Sequence, residues 1–91
     1  MVERKMQVVN ELGVHARPSA LLVQKARNFK AEIKLKKEDR EANAKSILSV
    51  MTLAAEKGSF VTIIAEGEDQ KQAVEALVQL FAARFESGGE R

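Results

Sequence analysis

The stretch AEIKLKKEDREAN, residues 31–43, sets the tightest limit on the fold. Ala31, Ile33 and Leu35 alternate with Glu32, Lys34 and Lys36, the two-residue period of a strand with one buried face. Glu38, Asp39 and Arg40 break the run, and Glu41 to Asn43 return as a short edge strand. Two strands joined by so tight a turn run antiparallel, because a parallel pair needs a crossover of a dozen residues or more. An all-parallel sheet is therefore excluded.

The flanking segments supply the other elements. VERKMQVVN alternates loosely, with Met6 and Val8 on one side and Lys5 and Gln7 on the other, and reads as a first strand ended near Gly13. From Arg17 to Asn28 the spacing is helical. Leu22, Val23, Ala26 and Phe29 share a stripe, and Pro18 suits the first turn, where its missing N–H has no partner to lose. Ile47, Val50, Met51 and Ala54 repeat at helical spacing behind Ser46, which is placed as an N-cap; Gly58 ends that helix or its loop. SFVTIIAEG is rich in β-branched residues and reads as a strand, with Val61, Ile63 and Ala65 inward. Phe60 and Ile64 then fall on the outer face, as apolar surface partly covered by long neighbouring side chains. Asp69, with Gln72 completing a near capping box, starts a last helix whose buried stripe is Val74, Leu77, Val78, Phe81 and Phe85. The order βαββαβα implies an α+β fold, an open-faced sandwich of a four-stranded antiparallel sheet with three helices on one face. Residues 1–86 form one domain, and 87–91, SGGER, a disordered tail.

Composition excludes several functions. There is no cysteine among the 91 residues, hence no disulfide, thiolate metal site or cysteine nucleophile. One histidine and scattered carboxylates lack metal-ligand spacing. A net charge of +2 with alternating signs does not suggest nucleic-acid binding or membrane insertion. The start is charged where a signal peptide needs an apolar stretch, so a cytoplasmic protein is expected.

The only histidine, His15, and the only proline, Pro18, stand together in GVHARP. Here the backbone N–H groups of Ala16 and Arg17 lack intrahelical acceptors and face the positive end of the helix dipole. That field holds an imidazole neutral, with a lone pair available for nucleophilic attack, and favours an anion beside it. The Arg17 fork suits phosphate oxygens. From these residues alone, a polar helix cap and a phosphoryl-accepting nucleophile both stand, and the cap is the commoner use of such a histidine. Ser46 is likewise a cap by default and a candidate phosphorylation site.

GVHARPSALLVQKA together with AKSILSVMTLAAEKGS, at this separation, resembles the histidine-containing phosphocarrier (HPr) family of the bacterial phosphoenolpyruvate-dependent phosphotransferase system. The resemblance covers about Met6 to Phe85. It implies a phosphoryl carrier rather than a stand-alone enzyme, with no cofactor. His15 would accept the group on Nδ1 from phosphorylated enzyme I and pass it to IIA domains of sugar permeases, assisted by Arg17 and the Ala16 backbone N–H. Ser46 matches the family's regulatory serine, the substrate of an HPr kinase/phosphorylase, and transcriptional regulators are further partners. Ala20, Gln24, Arg27, Ile47, Leu48 and Met51 match the positions where partners dock, and a monomer is expected. Leu12 and Ser49 depart from the family, which often carries a small polar residue and a glycine there. Two other functions stay open: a regulatory, nitrogen-related phosphorelay without sugar transport, and a small interaction or nucleic-acid-binding domain in which His15 only caps a helix.

Overall fold

The computed structural model describes residues 1–8 and 16–83. Within them the order is β1 (Val2–Gln7), α1 (Ala16–Ala26), β2 (Glu32–Lys37), β3 (Arg40–Asn43), α2 (Ile47–Leu53), β4 (Phe60–Glu66) and α3 (Gln70–Ala82). This is the expected βαββαβα succession. Gly13, His15, Phe85 and the tail from Ser87 to Arg91 lie outside the described residues.

The four strands form one sheet in the order β1-β4-β2-β3, and every neighbouring pair is antiparallel. β1 and β2 are therefore parallel to each other with β4 between them, and β3 and β4 are parallel with β2 between them. The crossovers through α1 and α2 each skip one strand, so the two halves of the chain interlock. In the hairpin Lys37 pairs with Arg40 across Glu38-Asp39. Glu38 takes φ 57°, the left-handed value that lets a two-residue turn follow the strand twist.

Alternation decides which face is covered. Ile33, Leu35, Ala42, Val61, Ile63 and Ala65 are buried beneath the helices, joined by Leu22, Val23 and Ala26 of α1, Val50 and Leu53 of α2, and Ala73, Val74, Leu77 and Phe81 of α3. The alternate residues, among them Lys5, Lys34, Lys36 and Phe60, stay exposed on the opposite face. Phe60 is 51% exposed, and the Lys5 ammonium sits 5.1 Å from its ring centroid. That is the expected cover of an outward aromatic by a long cationic side chain.

Three local expectations need correction. α1 ends at Ala26, two residues before Asn28. α2 stops at Leu53, where Ala54 enters the left-handed region (φ 54°, ψ 51°) and its N–H donates to the Met51 carbonyl. That turn sends both Leu53 and Ala55 into the core, which a straight continuation does not do. Gly58 (φ 92°) lies in the following loop, one of its two expected places, its N–H donating to the Val8 carbonyl at 2.7 Å. Asp69 does precede α3, but its side chain makes no bond into the helix. Its carboxylate accepts from Lys30 N–H at 2.9 Å and Ala31 N–H at 2.8 Å, tying the start of α3 to the α1–β2 loop. Gln70, not Gln72, serves the turn, its Oε1 accepting from Gly67 N–H at 3.1 Å. No helix among the described residues is long and apolar enough to cross a membrane.

Candidate functional site

α1 begins at Ala16, the residue after His15. Ala16, Arg17 and Pro18 thus form its first turn, the part of an α-helix whose N–H groups take no intrahelical bond. Pro18 sits third, where its locked φ suits the helix and no backbone bond is lost. Arg17 is exposed. His15 itself, and Leu12, lie outside the described residues. Ser19, one turn on, is fully buried, and its Oγ has no hydrogen-bond partner among the described residues; the sequence signals nothing of this.

The docking candidates divide between two helices. Ala20 and Gln24 lie four residues apart on α1, and Arg27, the residue just past its end, continues the stripe. Gln24 and Arg27 are exposed and Ala20 partly so. Ile47, Leu48 and Met51 lie along α2, where Leu48 is 73% and Ile47 40% exposed and Met51 partly buried. α1 and α2 pack against each other. Ile47 and Leu48 are the large apolar side chains of α2 that stay exposed.

Ser46 stands at the head of α2 as the N-cap, with φ −122° and ψ 116°. Its Oγ accepts from Ser49 N–H at 3.2 Å, the expected capping bond. Three contacts around it were not legible in the sequence. Ser49 Oγ accepts from Asn43 N–H at 2.9 Å, closing the exit from β3. Arg27 Nε donates to the Lys45 carbonyl at 3.1 Å, while Lys45 Nζ donates to the Phe29 carbonyl at 2.6 Å. These two bonds stitch the end of α1 to the entry of α2, so the structure brings Arg27 to the peptide unit that carries Ser46. A pattern of Arg and Lys 18 residues apart gives no periodic signal to find it by.

The family comparisons agree with this architecture. A family model described as the PTS HPr component phosphorylation site matches residues 2–83. The chain is 46% identical over 88 residues to the phosphocarrier protein HPr of Cupriavidus necator, covering 97% of this chain and 99% of that one. It is also 46% identical over 78 residues to the HPr-like protein Crh of Halalkalibacterium halodurans, covering 86% and 93%. The crystal structure of HPr-C-His from Thermoanaerobacter tengcongensis superposes with a TM-score of 0.88 at 41% identity, covering 93% of this chain and 96% of that one. With identity and fold matching together over nearly the whole length, the chain belongs to the HPr family of phosphotransferase-system phosphocarriers.

Proposed function

We propose that the protein carries a phosphoryl group on His15 between phosphorylated enzyme I and the IIA domains of sugar permeases. The observation that carries this reading is the start of α1 at Ala16, which puts first-turn amides and Arg17 directly after the one histidine. In the transfer, the Nδ1 lone pair of neutral His15 forms a bond to phosphorus. The bond from phosphorus to enzyme I breaks, and its electron pair stays with the donor. The Ala16 and Arg17 N–H groups and the Arg17 guanidinium bear the charge of the bound group. An open first turn holds the group without enclosing it, so the next acceptor can reach it.

The stripes of Ala20, Gln24 and Arg27 and of Ile47, Leu48 and Met51 form the partner face. Ser46 lies at its edge, and phosphorylation there adds nearly two negative charges beside Ile47 and Leu48. That opposes their desolvation and weakens docking without unfolding the domain. Incubation with enzyme I and phosphoenolpyruvate should place one acid-labile phosphoryl group on the wild-type chain and none on His15→Ala. No uptake by the wild type overturns the reading. A second reading is a regulatory carrier with no permease downstream, since the chain is as similar to an HPr-like protein as to a phosphocarrier HPr. Purified IIA domains that take nothing from the phosphorylated chain would select it.

A further inference from the structure

The contact between Arg27 and Lys45 bears on Ser46. Arg27 is exposed, yet its Nε is held 3.1 Å from the Lys45 carbonyl oxygen. That carbonyl belongs to the peptide bond whose nitrogen is Ser46's own, so the guanidinium rests one covalent unit from the hydroxyl-bearing residue. Lys45 does not compete for this position, because its ammonium is engaged with the Phe29 carbonyl at 2.6 Å. Among the described residues the Ser46 hydroxyl holds one weak bond, from Ser49 N–H at 3.2 Å. α2 spans only 7 residues, too short for its dipole to dominate.

We propose that Arg27 is the intramolecular receptor for a phosphoryl group on Ser46, exchanging the Lys45 carbonyl for a two-point bond to phosphate oxygens. The inference rests on the reading of Ser46 as a phosphorylated residue. In that step Ser46 Oγ bonds to the γ-phosphorus of a nucleoside triphosphate, the bond to the bridging oxygen breaks, the diphosphate leaves, and the hydroxyl proton passes to the modifying enzyme. The product is a dianion on the residue that follows the carbonyl bonded by the guanidinium. The bond to the carbonyl is charged on the donor side alone, whereas a guanidinium–phosphate pair is charged on both sides, and the planar fork matches two phosphate oxygens. Exchange is favoured, with little backbone movement. It also acts on the partner face. Arg27, just past the end of α1, continues the stripe of Gln24 and Ala20, so phosphorylation both places a dianion beside Ile47 and Leu48 and withdraws a cation from an incoming partner.

The test uses the full chain with phosphoserine installed at position 46 during translation, in wild-type, Arg27→Ala and Arg27→Lys backgrounds. Phosphorus NMR should show the phosphate binding its last proton roughly threefold more weakly in the wild type than in Arg27→Ala. Arg27→Lys should fall between them, keeping the charge and losing the fork. The Arg27 Nε–Hε resonance should move on phosphorylation of the wild-type chain, a readout that needs no variant to fold. Equal proton affinities with an unmoved Nε–Hε resonance overturn the proposal. Transfer from enzyme I is measured separately on wild-type chain with and without the phosphoserine. Equal rates there overturn the regulatory role of Ser46, whereas the titration and the Nε–Hε signal decide the Arg27 contact.

Discussion

At the scale of single residues, Asp69 shows how a side chain can be in the expected place and do other work. Its carboxyl is held below the ordinary carboxylate range, first by the bond from Lys30 N–H. Partial desolvation opposes this, and the Ala31 N–H, its own backbone N–H and the Lys45 charge add to it. A carboxylate with a lowered folded value stabilises the fold above its unfolded value, roughly pH 4, and that contribution fades as the pH falls through the folded value. Asp69→Asn should therefore be less stable than wild type at pH 7, with the difference shrinking below about pH 4. Urea midpoints across pH 2–7 check this, and a difference independent of pH would show that the charge plays no part. The sequence marks Asp69 correctly as the residue before a helix. It cannot show that the carboxylate turns away from that helix, because its acceptor role is filled by amides 38 and 39 positions earlier. Ser46, whose capping partner is three residues on, is legible for the opposite reason.

At the scale of elements, period and local chemistry are enough to find every strand and helix, since each is one amphipathic run. The ends are less legible because they answer to packing. α2 stops where burying Leu53 and Ala55 requires a reversal, and the residue at the reversal is an alanine at φ 54°. An L-residue in the left-handed region costs about 1–2 kcal/mol through the clash of Cβ with the carbonyl. Glycine avoids the clash but gives the unfolded chain more freedom. Ala54→Gly should accordingly raise stability by about 0.5–1 kcal/mol, read as a higher urea midpoint at unchanged m. A lower midpoint would mean that the alanine methyl packs usefully. The same αL demand marks Gly58 as a loop residue, and a sequence reader sees the glycine more readily than the strained alanine before it.

At the scale of the whole molecule, the hairpin dictates an antiparallel sheet, but the order β1-β4-β2-β3 follows from which crossover each helix makes, which no local pattern records. The core is still readable, because alternation in the strands and the helical stripes name the same interior. Its residues are mostly small or branched, so the aromatic at its base carries a large share of the packing. Phe81, 1% exposed, is the largest fully buried side chain among the described residues, and it comes from α3, the helix that packs on β1, β4 and α1. Truncation there removes contacts to both layers at once and leaves a cavity that interlocked crossovers cannot readily close. Phe81→Ala should cost about 3–5 kcal/mol, a large part of the roughly 5–15 kcal/mol that holds a domain of this size together. Phe60→Ala removes the same ring from the open face, where half of it already meets water and one ammonium covers it, and should cost less than about 1 kcal/mol. Urea denaturation of the two variants side by side separates core packing from aromatic content. Similar losses would contradict the division of the sheet into a covered and an open face.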